Sequence, residues 1–205
     1  MAPVTAVGSG KIDGRAARAE RTRAAVVDAL LDLIEEGTLQ PTAQEVAKRA
    51  GVSPRIVYFH FEDHARLFAA AAARQSERVL ADIKLVRADG PLEERLDAFV
   101  AVRARIFQRV FNTRRAARLY EHVSPVVAGT LAFVRACKRE EAERVFGREM
   151  GAMGSAAVRR DRAAALGAVT SFNTWESLRA HGGLGVEEAR RVWRGMIEAV
   201  LREGS

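Results

Sequence analysis

Two histidines four residues apart, His60 and His64, have the spacing of a zinc pair on one helix face. They straddle the end of one predicted helix and the start of the next, and no further ligand cluster accompanies them, so neither a metal nor a cofactor is expected. The run Gly151 to Ser155, GAMGS, lacks the Lys and the preceding strand of a phosphate loop. There is no nucleophilic Ser motif and no suggestive carboxylate pair, so the chain does not read as an enzyme. A different chemistry fits the stretch Thr42 to Phe68, TAQEVAKRAGVSPRIVYFHFEDHARLF. Arg55 carries the donor fork that pairs with guanine O6 and N7. Gln44 can reach a base or a phosphate, and Ile56 can touch a thymine methyl.

Such groups need short helices that hold them outward. Thr42 is a helix cap, and Glu45 three residues later completes a capping box. Val46, Ala47 and Ala50 form the apolar side, and Gly51 supplies a left-handed end. Ser53 caps a second helix, with Pro54 at its first position and His60 near its end. Two short helices around so tight a turn read as a helix-turn-helix. Val57 and Phe61 are assigned to the core, and Asp63 caps the helix that follows.

The run Ala47, Ala50, Gly51, Val52, Ser53 and the run Val57, Tyr58, His60, Phe61 resemble the DNA-binding domain of the tetracycline-repressor (TetR) family of bacterial transcription regulators. The resemblance covers residues 20–70. It implies that Tyr58 and His60 touch the DNA backbone and that Thr42 meets a phosphate. The DNA-binding set is then Thr42, Gln44, Ser53, Pro54, Arg55, Ile56, Tyr58, Phe59, His60 and His64. His64 stands where the family usually carries a phosphate-binding Lys, and a neutral His is a weaker partner for phosphate.

The 205 residues carry a net charge of +7, which suits a polyanionic partner. Charge within residues 1–74 is nearly balanced, except for the run Lys11, Arg15, Arg18, Arg21 and Arg23, opposed only by Asp13 and Glu20. Such a run can follow a phosphate backbone or enter a minor groove. Cys137 is the only cysteine, so no intrachain disulfide forms and a reducing cytoplasm fits. The start MAPVTAVGSGK does not look like a signal peptide, and no apolar run approaches a membrane span, so no membrane partner is expected.

Helical periodicity extends along the chain without a credible strand. The expected fold is all-α, with nine helices. A disordered basic arm spans 1–14, a three-helix helix-turn-helix DNA-binding domain 15–62, and a helical ligand-binding and dimerisation domain 63–205. Residues 147–155 are expected to be a flexible loop, and residues 157–180 and 186–202 two long helices. The last two helices carry more apolar surface than one small domain needs, including Val169, Phe172, Leu178, Val192, Trp193, Met196 and Val200. Paired with a second copy they make a four-helix bundle, as the family does. A homodimer presents two motifs to a palindromic operator in double-stranded DNA.

The resemblance also implies a small-molecule effector between the middle helices. The aromatic and polar groups expected around it are Phe99, Val102, Arg103, Phe107, Phe111, Tyr120, His122, Phe133, Cys137, Phe172 and Trp175. The resulting reading is a homodimeric repressor released from its operator by an unidentified ligand. Two other readings compete with it: a sequence-neutral DNA-binding protein, and a ligand-sequestering helical protein whose motif no longer binds DNA.

Overall fold

The computed structural model describes residues 9–83, 86–152 and 154–202. All regular structure in them is helical. The first unit comprises α1 (Ser9–Glu35), α2 (Ala43–Ala50) and α3 (Pro54–His60). Residues 1–8 of the expected arm lie outside the described residues, whereas 9–14 form the start of α1. Val26, Leu30 and Ile34 recur at helical spacing on α1 and are buried against Val46 and Ala47 of α2, Val57 of α3 and Phe61. Arg23 covers the other side of Phe61, its guanidinium 5.0 Å from the ring centroid.

α4 (His64–Ile83) leaves this unit and enters the second. Asp63 accepts a hydrogen bond from the Arg66 N–H at 2.7 Å and so caps it, as the sequence predicts. Arg74 of α4 reaches back to Asp28 of α1 at 2.8 Å. The second unit holds α5 (Leu92–Arg109), α6 (Phe111–Glu121), α7 (Pro125–Val145), α8 (Gly147–Gly151), α9 (Ala156–Val169), α10 (Phe172–Glu176) and α11 (Val186–Arg202). Its core gathers Leu96, Phe99, Phe107, Phe146, Trp175 and Trp193. Ala116 of α6 belongs to the first unit's core instead, so α6 is shared between the two.

The described residues hold more helical segments than the nine expected, for two local reasons. The segment expected to be a loop contains α8. The buried Arg95 guanidinium holds it there, donating to the Val145 carbonyl and the Glu149 carboxylate, each at 2.5 Å. The long helix expected over 157–180 is broken. Thr170 turns its hydroxyl back to the Leu166 carbonyl at 2.7 Å, and Ser171 caps α10 through the Thr174 N–H. A π turn, Ser177–His181, follows α10. It closes with the Gly182 N–H on the Ser177 carbonyl at 2.7 Å. A Cβ at Gly182 would meet the Leu178 carbonyl oxygen at 2.9 Å, so the position has room only for glycine.

Candidate nucleic-acid interface

α2 and α3 meet at the turn Gly51–Ser53, where Gly51 takes φ +68° and its N–H finds the carbonyls of Ala47 and Lys48. Val57, buried at 2% exposure, pins α3 to the unit's core. The other side of α3 is left outward. Ser53, Pro54 and Arg55 are exposed there, Ile56 and His60 are half-buried, and Tyr58 and Phe59 are 58% and 78% exposed. The Phe59 ring meets the His60 ring edge-on at 5.3 Å. Neighbouring aromatic rings held in solvent on so short a helix are characteristic of a contact surface. Gln44 is exposed on the first turn of α2. Ser53 is the N-cap residue of α3 but makes no side-chain capping bond. Upstream, Arg15, Arg18, Arg21 and Arg23 are exposed on α1.

Two of the residues expected to meet phosphates already have partners within the protein. Thr42 closes the capping box: its hydroxyl accepts from the Glu45 N–H at 3.3 Å and donates to Glu45 Oε2 at 2.7 Å. In this arrangement it has no proton left for a phosphate. The same Thr42 contacts, its backbone N–H first and then its hydroxyl, hold the Glu45 carboxyl below its ordinary value. His64 is turned inward. Its Nδ1 lies 3.2 Å from the Tyr120 hydroxyl, its ring 5.2 Å from that of Phe68, and its Nε2 is buried without a partner. His60 ends α3 and His64 begins α4. Among the described residues, no group of three or more His, Cys, Asp or Glu side chains gathers as a metal site.

Behind this unit lies a cavity of about 390 Å³, walled by α4, α5, α6, α7, α9 and the α9–α10 break. That volume lies in the ~300–1,000 Å³ range of small-molecule sites. Of the residues expected around a ligand, Arg103 and Phe172 line it. Phe99, Phe107 and Trp175 are instead fully buried core residues. Val102, Phe111 and Cys137 pack against that core, Tyr120 stacks on Phe68, and His122 and Phe133 are exposed. Arg103 does not extend to solvent. It is buried on Glu141 at 2.5 Å and also donates to the carbonyls of Lys138 and Thr170. Burial pushes the Arg103 guanidinium down and the Glu141 carboxyl up, and their mutual attraction opposes both shifts.

The sequence reading missed Gln75, Ser76, Thr113, Arg114 and Lys138, all of which line the cavity. A cavity opens where side chains are short, and here its walls include Ala72, Ala117, Ala163 and Gly167. Polar residues on the same side as those alanines were the available signal.

The residues assigned to a dimer face divide. Val169, Phe172 and Trp193 are buried in the chain's own core, and the Trp193 indole N–H donates to the Val169 carbonyl at 2.6 Å. Leu178 and Val200 pack partly against that core. Val192 and Met196, each 39% exposed, remain on the outside of α11.

Residues 26–71, which contain the turn and α3, match the model of the bacterial regulatory proteins of the tetR family. No curated protein matches the chain significantly. Solved structures match nearly the whole of it. A transcriptional regulator from Rhodococcus sp. Rha1 is similar at 22% identity over 88% of this chain and 96% of its own, with a TM-score of 0.70. A tetR-family transcriptional regulator from Streptomyces coelicolor is similar at 18% identity over 88% of this chain and 79% of its own, with a TM-score of 0.68. A TetR family transcription regulator from Marinobacter aquaeolei VT8 aligns at 18% identity over 89% and 96%, with a TM-score of 0.59. The N-terminal helix-turn-helix is thus that of the bacterial regulatory proteins of the tetR family, carried on a chain with the fold of a TetR-family transcriptional regulator.

Proposed function

We propose that this chain is a sequence-specific, homodimeric repressor of the bacterial cytoplasm that leaves a palindromic DNA operator when a small molecule fills the cavity. The observation that carries the reading is the outward display of Arg55, Tyr58 and Phe59 on a helix anchored from behind by Val57. Arg55 reads a base edge, while Tyr58, His60 and the hydroxyl of Ser53 hold the backbone and fix register. Gln44, Pro54, Ile56 and Phe59 complete the surface. The arginines of α1 add sequence-independent attraction.

A seven-residue helix is only about 10 Å long and reads few base pairs. Two copies on one DNA face, about one helical turn apart, supply the missing affinity. Val192 and Met196 on α11, beside the exposed small residues Gly195 and Ala199, offer the close-approach surface for that second copy. Release follows from α4, which lines the cavity through Gln75 and Val79 and begins immediately after α3 and Phe61. A ligand that prefers one setting of α4 changes the spacing of the two recognition helices, and so opposes DNA binding.

The test is a titration of the purified chain on a selected duplex and on its scrambled form, by fluorescence anisotropy at moderate salt. The expected preference is at least about a thousandfold. Equal affinity on both, collapsing together as salt rises, would leave a sequence-neutral binder.

A further inference from the structure

The charge of the cavity wall says which kind of molecule enters. The wall carries six cationic side chains, Arg103, Arg114, Arg118, Arg135, Lys138 and Arg139, against one carboxylate, Glu121. Part of that charge is already answered: Arg103 by Glu141 at 2.5 Å, Arg118 by Glu176 at 2.5 Å, and Arg135 by Glu121 at 2.7 Å. Arg114 and Lys138 are placed differently. Arg114 Nη1 is buried with no hydrogen-bond partner. The Lys138 ammonium faces the Phe107 ring, 4.4 Å from its centroid.

Two neutral groups of the same wall are also unsatisfied. Gln75 Oε1 and Thr113 Oγ1 are buried without partners, in residues only 4% and 7% exposed. A native interior rarely leaves such atoms unpaired, because each costs the solvation it has lost. Burial also pushes the Lys138 ammonium well below its ordinary value, and the neighbouring Arg103 and Arg114 push it further. Burial lowers the Arg114 guanidinium in the same direction. Around Arg114 the repulsion of Arg135 and Arg118 stands beside the attraction of Glu121 and Glu176, and the cationic wall borders the apolar surface of Val79, Val110, Leu131 and Phe172. An anionic head removes the repulsion and the apolar side chains cover the rest of the molecule.

We propose that the cavity takes an amphipathic organic anion, a carboxylate or sulfonate on an apolar body, with Arg114 and Lys138 meeting the anionic head and the Thr113 hydroxyl donating to it and fixing its orientation. The ligand bridges α6 and α7 beside α4. The inference rests on the cavity being the effector site proposed above, but charge preference is measured without DNA.

The probes are 8-anilinonaphthalene-1-sulfonate and N-phenyl-1-naphthylamine, which share an aromatic body and differ by the sulfonate. Titrated into the full chain by fluorescence, the sulfonate should bind saturably and at least about tenfold more tightly than the neutral amine. Octanoate should displace it, and octylamine should not. Arg114→Met should weaken the sulfonate by about tenfold and leave the neutral probe within about twofold, while Arg114→Lys keeps most of the binding. Lys138→Met decides the matter if Arg114→Met fails to fold by circular dichroism. Equal binding of the two probes, no saturable binding of the sulfonate, or indifference of the sulfonate to the folded variants overturns the proposal. Operator selection reads the regulator separately: a chain that prefers the sulfonate but selects no DNA keeps the anion site and loses the repressor.

Discussion

His64 Nδ1 lies 3.2 Å from the Tyr120 hydroxyl, joining the first turn of α4 to the last turn of α6 across 56 residues of chain. Tyr120 also stacks on Phe68, ring centroids 4.1 Å apart. α6 contributes to the core of the DNA-binding unit through Ala116 and to the cavity wall through Thr113 and Arg114. The His64–Tyr120 bond therefore sits where the two units are tied together.

Tyr120→Phe keeps the stacked ring and removes the hydroxyl. The expected cost is about 1 kcal/mol, seen as a lower urea midpoint at unchanged slope. A midpoint identical to that of the parent chain would mean that the bond contributes nothing. His64→Lys is expected to lower stability without tightening DNA binding. Uniformly tighter binding on all duplexes would show the side chain swinging out to the phosphates.

Arg55→Ala should lose discrimination at one base pair by ~1–3 kcal/mol, read by competition between the selected duplex and single-position variants. Phe59→Ala should weaken DNA binding while leaving the melting temperature close to that of the parent, because the ring is 78% exposed and supports no core. A variant at Arg55 that discriminates as well as the parent would remove the base-reading role from this residue.

Arg103 and Glu141 form a buried pair, and single and double substitutions should differ in a characteristic way. Arg103→Ala leaves Glu141 charged and buried, with an expected loss of ~3–5 kcal/mol. Arg103→Met combined with Glu141→Leu restores most of that loss, because neither charge is then stranded. Chemical denaturation of the three chains tests this. A double variant as unstable as the single one would mean that the carbonyl contacts of Arg103, on Lys138 and Thr170, carry the stability instead.

Acid should destabilise the fold. Glu45 is held below its ordinary value by Thr42, Glu36 by Arg49, and Glu93 chiefly by Arg194. Each carboxyl thus has a lower value folded than unfolded, so its contribution is fully present above about 4.5 and is lost as pH falls through the folded value. Melting temperatures should fall as pH drops below about 4.5, where the raised Glu141 carboxyl no longer opposes the change. Glu45→Gln should shrink the fall. A melting temperature that rises with acid would contradict these assignments.

The helix-turn-helix was legible because its signals are local. Thr42 and Glu45, Gly51, and Ser53 with Pro54 each act within one turn of backbone, and the structure places caps and ends at those residues. Val57 and Phe61 were legible for the same reason: burial on a short helix follows from spacing. The break at Thr170 and Ser171 was harder to see, since it depends on two hydroxyls choosing backbone partners inside an apolar periodic run. The cavity was least legible. Phe99, Phe107 and Trp175 attract attention as ligand groups, yet large rings fill space, and here they fill the core. The empty volume lies beside Ala117 of α6 and Ala163 and Gly167 of α9, small residues that come together only in three dimensions. The partner of His64, Tyr120, is 56 residues away and leaves no local signal.

The most direct measurement is selection of random DNA duplexes by the purified chain at moderate salt, followed by sequencing. The expected result is enrichment of a palindrome whose half-sites are about one helical turn apart, weakened at one position in each half by Arg55→Ala. Selection that yields no shared sequence, with binding that disappears as salt rises, would contradict a sequence-specific dimeric regulator.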